Sequence, residues 1–250
     1  MCNRYQSCSA IVVGGGSEMG RAIARKLSQE GASVGILDIN ADAASETLED
    51  LVSKGGAGRV AVGDITNEDE VKNAIGDLIG SLGSPSVVVN AAQVTRFSHF
   101  GEQSLAQWNQ SMAVNVTGKF LVSRSVLPNL LGTGGSILNI VGTSGLIGLA
   151  YSTLLGAASA AVIQLTKSMA FEYQDRGVRI NAIAIGGVDP SQLAHLGFPP
   201  GAAPRHMERM LSPLGVPSPE EIAGAVAFLG SQEARSITGA VLTMDGGISA

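Results

Sequence analysis

The sequence predicts an α/β fold: one domain with a doubly wound parallel sheet of about seven strands and helices on both faces. Three observations carry that expectation. Short Val- and Ile-rich runs without polar alternation read as strands covered on both sides. Longer helical patterns separate them in a repeated strand-then-helix order, which calls for parallel crossovers. The chain has 250 residues and neither an internal repeat nor an interdomain linker, which suits a single α/β domain.

Strands are expected at Ser9–Val13, Ser33–Asp38, Arg59–Gly63, Ser86–Asn90, Ser136–Ile140, Val178–Ala184 and Val241–Met244. Helices are expected at Glu18–Glu30, Ala41–Lys54, Asn67–Leu82, Leu105–Leu131, Tyr151–Tyr173 and Pro219–Leu229. Several starts carry helix signals. Asp42 precedes an apolar run, Thr66-Asn67-Glu68-Asp69 puts carboxylates at an N-terminus, and Ser218-Pro219-Glu220-Glu221 adds proline in the first turn. Seven of the nine prolines fall between Pro190 and Pro219. Residues 188–217 are therefore expected to be a substrate loop or lid within the single domain 1–250, with one short helix around Arg205–Leu211.

Composition narrows the function classes. The chain is 45% hydrophobic with a net charge of −5, which excludes a disordered chain. Lys and Arg form no cluster, so no nucleic-acid partner is expected. Cys2 and Cys8 are the only cysteines, which leaves no disulfide framework and no four-ligand zinc site. No His/Asp/Glu group has metal-ligand spacing, so no metal is expected. These features suit a reduced, cytoplasmic protein, and Met1–Ala10 lacks an apolar run of signal-peptide length. No charge occurs from Ser125 to Thr166, but Pro128 and repeated glycines interrupt the stretch. It reads as a buried strand and then a buried helix, not a membrane span.

Strand one runs into Val13-Gly14-Gly15-Gly16-Ser17-Glu18-Met19-Gly20, and helix follows from Arg21. A glycine turn leading into a helix N-terminus suits a pyrophosphate, because outward N–H groups and the helix dipole both favour an anion. The strict G-x-G-x-x-G spacing is absent. Asp38 closes the second strand, 18 residues after Gly20, where a carboxylate would accept from a ribose 2′-hydroxyl. No Arg or Lys follows to hold a 2′-phosphate, so the cofactor of such a site would be NAD. The plainer alternative is that Asp38 only caps a turn.

From here the chain resembles the short-chain dehydrogenase/reductase family nearly end to end. The family's Thr-Gly-x-x-x-Gly-x-Gly turn matches Val13 through Gly20, and its adenine-contacting acid matches Asp64 in Gly63-Asp64-Ile65-Thr66. Its Asn-Asn-Ala-Gly segment matches Val89-Asn90-Ala91-Ala92, and its helix Asn matches Asn115 in Asn115-Val116-Thr117-Gly118. Asn181-Ala182-Ile183-Ala184-Ile185-Gly186 and Thr238-Gly239, followed by Asp245-Gly246-Gly247, complete the series. The resemblance implies a Rossmann-like fold and cofactor contacts at Gly14, Gly20, Asp38, Asp64 and Asn90.

The departures concern the chemistry. In the family, a Tyr with a Lys one helical turn on moves the proton, beside a Ser and the helix Asn. Positions i and i+4 share a helix face, so the ammonium favours the phenolate. The three tyrosines here are Tyr5, Tyr151 and Tyr173, and the residues four further on are Ser9, Leu155 and Gly177. Aligned on Lys167-Ser168-Met169-Ala170, the family's Tyr falls on Leu155, its Lys on Ser159 and its Ser on Gly142. Asn115 alone is retained. Tyr151 lies one turn before Leu155, about 5.4 Å along the axis, without a cation partner, and Thr143 and Ser144 offer hydroxyls next to Gly142. Loss of a positioned acid–base group costs roughly 10²–10⁴ in rate.

Glu18 stands at the family's second glycine. At about 5 Å and an effective dielectric near 20, its charge and that of a phosphate repel by ~3 kcal/mol. The carboxylate either replaces the phosphate at the helix N-terminus or turns to solvent and leaves NAD weakly bound. Other acid–base candidates are His99, His195, His206 and Asp189, for which surface roles are the plainer reading.

These departures resemble the degenerate partner subunits of heteromeric family members, such as the hydroxyacyl-CoA dehydrogenase acting on a benzylsuccinate-derived thioester. That resemblance implies a structural or regulatory subunit, paired in a tetramer with a homologous active subunit through the Leu105–Leu131 and Tyr151–Tyr173 helices and the C-terminal segment. Two alternatives stand beside it: an NAD(H)-dependent oxidoreductase using Tyr151 or His99 as proton donor, and a non-redox isomerase or cyclase on the same scaffold.

Overall fold

The computed structural model describes residues 3–187 and 197–250. Part of the expected lid, with Asp189 and His195, lies outside the described residues. Seven strands form one sheet: β1 (Ser9–Val13), β2 (Ser33–Asp38), β3 (Ala57–Val62), β4 (Pro85–Asn90), β5 (Gly135–Gly142), β6 (Val178–Ile185) and β7 (Val241–Met244). Their order is β3-β2-β1-β4-β5-β6-β7, and every pairing is parallel. The helices are α1 (Glu18–Gln29), α2 (Ala41–Ser53), α3 (Glu68–Leu82), α4 (Leu105–Met112), α5 (Lys119–Leu130), α6 (Thr153–Tyr173), α7 (Pro204–Glu208) and α8 (Pro219–Gly230). The strand order reverses between β1 and β4, and a crevice opens at such a switch point beyond the carboxyl ends of the strands.

Both faces of the sheet are covered, which is why its strands do not alternate. Val12, Val34 and Val87 face a core closed by Ile23 and Leu27 of α1 and Val226 of α8. Their neighbours Ile11, Val88 and Ile137 face a second core closed by Ile75 and Leu78 of α3 and Val122 and Val126 of α5. Helix starts follow side-chain chemistry. Asn40, not Asp42, caps α2 by accepting from Ala43 N, Asn67 accepts from Asp69 N and Glu70 N, and Ser218 forms a capping box with Glu221. Each such cap contributes about 1 kcal/mol.

Several expected elements are redrawn. β3 starts at Ala57 and ends at Val62, and the short helix expected around Arg205–Leu211 spans Pro204–Glu208. The single helix expected over Leu105–Leu131 is two helices joined by a wide π turn at Ala113–Gly118. That turn frees the Asn115 amide to clamp the strand-four loop: Oδ1 accepts from Val94 N at 2.9 Å and Nδ2 donates to Val94 O at 2.9 Å. The helix expected from Tyr151 begins at Thr153, because Tyr151 itself takes a left-handed φ of 63°. Thr153–Arg176 is apolar and long enough to cross a membrane by length and composition. Here it lies on the sheet, with Leu154, Ala158, Val162 and Ala170 buried.

Lys119, the first residue of α5, is 2% exposed, and its Nζ donates to Ala92 O at 3.0 Å. Burial pushes its pKa down to about 7. In an unfolded chain a lysine titrates near 10.4. Between those values the unfolded state holds a proton that the native state lacks, so stability rises with pH. Denaturant unfolding from about pH 7.5 to 9.5 is expected to show this group adding ~1.4 kcal/mol per pH unit. Lys119→Met removes that slope and is more stable than the parent at neutral pH. Equal slopes in the two proteins contradict the assignment.

Candidate functional site

A cleft of about 910 Å³ opens at the carboxyl ends of β1, β2 and β4, lined among others by Gly14, Glu18, Asp38, Asp64, Ala92 and Val94. The glycine turn is built by close approach. Gly14 has φ 80°, and a Cβ there would stand 2.6 Å from Ala92 N. A Cβ on Gly20 would stand 2.1 Å from Gly14 O, so α1 can start against the turn only without a side chain there. Ser17 caps α1 by accepting from Gly20 N at 3.0 Å while its hydroxyl donates to Gly14 O at 2.7 Å. Glu18 opens the helix, exposed at the cleft.

The expected cofactor residues divide into two groups. Gly14, Asp38 and Asp64 line the cleft with Glu18, whereas Gly20 is buried under the turn. Asp38 also caps the turn, as the plainer reading had it: Oδ2 accepts from Gly16 N at 2.8 Å and Oδ1 from Asn40 N at 2.9 Å. Asp64 Oδ1 accepts from both the backbone N–H and the hydroxyl of Thr66, each at 2.8 Å. Asn90 stands in the sheet interior and not at the cleft. It is 1% exposed, and its amide donates to Asn139 Oδ1 at 2.9 Å and Ser123 Oγ at 3.2 Å. Asn139 in turn donates to Thr166 Oγ1 at 2.9 Å, so the pair ties β4 and β5 to α6.

The positions aligned with the family's proton-transfer residues meet one another. Gly142 ends β5, and Leu155 and Ser159 come from α6. A Cβ at Gly142 would lie 3.1 Å from Leu155 Cδ2, and Gly142 N donates to Ser159 Oγ at 3.0 Å. Leu155 therefore packs where a side chain at 142 would have reached, and Ser159 spends its hydroxyl on the backbone. Asn115 is equally committed, through Val94 and through Ser111 Oγ at 3.2 Å. Neither a phenol nor an ammonium occupies any of these four positions. Thr143 Oγ1 and Ser144 Oγ lie next to them, buried and without a hydrogen-bond partner among the described residues.

A second convergence was not legible in the sequence. Tyr151 OH accepts from Ala203 N at 2.8 Å and pairs with His206 Nδ1 at 3.1 Å, and its carbonyl accepts from Ser98 N at 3.0 Å. The His99 ring stands edge-on to Tyr151 at 5.2 Å, with Nε2 2.9 Å from Pro200 O. Phe198 stacks on Phe97 at 4.6 Å. Two histidines that looked scattered thus clasp the loop after β4 to the segment around residues 198–206 through Tyr151. They are 52 and 55 residues from Tyr151 in sequence, and no periodicity links them. Among the described residues no group of three His, Cys, Asp or Glu is placed to hold a metal ion.

Known proteins match this chain along its length. The family model described as enoyl-(acyl carrier protein) reductase matches residues 14–249. The chain is similar to 2-(S)-hydroxypropyl-CoM dehydrogenase 3 of Xanthobacter autotrophicus, at 35% identity over 255 residues and 100% of both chains. It is also similar to the (3R)-3-hydroxyacyl-CoA dehydrogenase of Canis lupus familiaris, at 31% identity, covering 98% of this chain and 97% of the other. Among solved structures, a dehydrogenase/reductase from Sinorhizobium meliloti superposes with a TM-score of 0.87 at 30% identity, covering 98% of this chain and 96% of that one. A short-chain type dehydrogenase/reductase from Mycobacterium marinum shares the fold with a TM-score of 0.88 at 24% identity, over 98% and 96%.

The Ser159 contact is open to a direct check. Removing the hydroxyl leaves Gly142 N–H buried and unpaired, so Ser159→Ala is expected to lower unfolding free energy by about 1–3 kcal/mol. Urea denaturation reads the difference. An unchanged midpoint and slope means that Ser159 does not hold the end of β5.

Proposed function

The chain belongs to the short-chain dehydrogenase/reductase family, and on that premise we propose that it is a catalytically degenerate subunit. In this reading it is the structural or regulatory partner of a homologous, active NAD-dependent hydroxyacyl or alcohol dehydrogenase subunit, in a hetero-oligomeric tetramer. One observation carries the reading: Leu155 and Ser159 close on Gly142, so the positions that should deliver a proton hold an alkyl group, a committed hydroxyl and no side chain. An enzyme without a positioned acid–base group loses roughly 10²–10⁴ in rate. The two-cysteine content fits a reducing, cytoplasmic setting.

Where NAD binds, it supplies a hydride acceptor. The residues that would hold it here are the Gly14 turn and the carboxylates of Asp38 and Asp64. The turn itself fits, since the close approaches at Gly14 and Gly20 leave the backbone bare. The charge does not, because Glu18 brings a carboxylate to the start of α1, where a pyrophosphate would need positive potential.

The surface supports a partner. Leu105 of α4 is 73% exposed and Phe171 of α6 is 78% exposed, and Trp108 and Phe120 add exposed aromatic area on α4 and α5. These are the helices that the family resemblance assigns to assembly, and exposed apolar side chains gathered on one set of helices favour burial against protein. Tyr151 favours a second reading: its hydroxyl next to His206 Nδ1 is a proton-relay arrangement, so an oxidoreductase with Tyr151 as donor stands as the alternative.

A native pull-down of the tagged protein from its own cells, with mass spectrometry and native mass, separates the readings. The proposal expects a stoichiometric second subunit of the same family that carries Tyr-x-x-x-Lys. Recovery of this chain alone, as a homo-oligomer, contradicts it.

A further inference from the structure

Lys119 is the only buried Lys or Arg among the described residues. It is tied into a polar zipper. Asn115, Lys119 and Ser123 recur every four residues along the π turn and α5, and they meet residues 94, 92 and 90 in turn. Asn115 bonds Val94 N and O, Lys119 Nζ donates to Ala92 O at 3.0 Å, and Ser123 Oγ accepts from Asn90 Nδ2. Positions i and i+4 share a helix face, so one face of the helix lays three polar groups along the chain that leaves β4. An ammonium has three donors. Among the described residues, the amine of Lys119 has one partner for them.

That chain is a wall of the cleft at the end of β1, which Ala92 and Val94 line. Ala92 also touches the glycine turn, since a Cβ on Gly14 would stand 2.6 Å from Ala92 N. One residue therefore separates the Lys119 amine from the turn, about 10 Å in all. No Lys or Arg lines the cleft among the described residues, so Lys119 is a cation held behind a wall that has none. The charged groups of the neighbouring elements are engaged elsewhere or exposed. On α3, Glu68 pairs with Arg124 of α5, Glu70 accepts from Asp64 N and Asn67 Nδ2, and Asp77 pairs with Arg59. Asp69 and Lys72 of α3 and Lys167 and Glu172 of α6 are exposed. Asp64, on the turn after β3, accepts from Thr66. β4, β5, the π turn and residues 91–94 carry no charged side chain. Burial lowers the pKa of the amine to about 7, with no charged neighbour among the causes.

We propose that Lys119 is a positioning residue that couples the cofactor cleft to pH: a pyrophosphate held at the Gly14 turn is matched by a proton taken up at Lys119 Nζ. The inference rests on the reading that NAD is held at this turn, and it is independent of the partner reading. The proton comes from solvent, and the lysine forms no bond to the ligand. An anion behind the wall favours the ammonium, and by linkage the ammonium favours the bound anion by the same factor. Coulomb's law at about 10 Å, with an effective dielectric near 20, makes that factor about tenfold per unit charge. The sign follows. At low pH the amine is charged with or without ligand, and affinity is at its upper plateau. As pH rises the free protein loses the proton first, so binding draws one in and affinity falls to a lower plateau. Glu18 opposes the ligand from the rim, and Lys119 attracts it from behind.

Calorimetric titration of the purified full chain with NADH tests it. Run in HEPES and in Tris at about pH 7.5, the difference in heat between the buffers counts the protons exchanged. The expected result is uptake of about half a proton per NADH, with a dissociation constant that rises up to about tenfold between about pH 6.5 and 9.5. Lys119→Met keeps the length of the side chain and removes its titration, so uptake is lost and affinity is flat over that range. Lys119→Leu repeats the measurement, and thermal melts confirm that both variants fold. The buffer comparison on the wild-type chain decides without either variant. NADH binding without proton uptake overturns the inference and leaves the cofactor reading standing, as does uptake that both substitutions retain. No NADH binding by the wild-type chain at any pH overturns both.

Discussion

The site depends on one backbone contact, between the turn after β5 and helix α6. A Cβ at Gly145 would stand 2.6 Å from Ser159 Cβ, and one at Gly156 would stand 3.0 Å from Ser144 O. Glycines on both sides let turn and helix meet at main-chain distance, and that approach fixes where residues 155 and 159 point. With Ser159 beneath it, the Gly142 N–H finds a hydroxyl. With Leu155 above it, the bare Cα of Gly142 is covered. The three residues are mutually consistent as packing: a small strand end, an aliphatic cover and a short polar strut. A long buried ammonium in place of Ser159 would have to be desolvated, at a cost that only a partner or a bound ligand offsets.

Two parts of the molecule have departed from the family pattern in different physical ways. The positions aligned with the family's proton-transfer residues pack on one another, Leu155 against Gly142 and Ser159 beneath its N–H. The cofactor cleft is open and keeps its glycine turn, but Glu18 brings a carboxylate to its rim. Closure by packing is difficult to reverse, because several residues must change together. A change of charge is reversed by one. Lys119 adds a second electrostatic oddity: a buried amine whose one hydrogen-bond partner among the described residues is the Ala92 carbonyl, held at the start of α5 next to the π turn. Burial pushes its pKa down to about 7.

The architecture was largely legible because its signals are local. Runs such as Ile11–Val13 and Val87–Val89 have no polar alternation, and capping residues stand directly before helices. What was missed needed tertiary information. The π turn at Asn115 has no composition of its own, and it arises where the Asn amide satisfies Val94 from the neighbouring loop. Asn90 read as a cofactor contact because its motif ends at the cleft, but a strand residue alternates sides and its amide turns inward to Asn139. Asp38 fitted two readings in sequence, and in space it serves both the turn and the cleft. The clasp of Tyr151, His99 and His206 joins three segments by ring contacts that no spacing rule encodes. The loss of Tyr-x-x-x-Lys, by contrast, was legible outright, since every tyrosine could be checked against the residue four positions on.

The central claim is that this chain does not carry out the family's redox chemistry by itself. The most direct measurement is NADH oxidation by the purified chain alone, over a panel of simple ketones and 3-oxoacyl thioesters and at saturating cofactor. The account predicts a rate indistinguishable from the enzyme-free background, unchanged by Tyr151→Phe. Turnover above that background which Tyr151→Phe abolishes contradicts it, and makes Tyr151 the proton donor of an active enzyme.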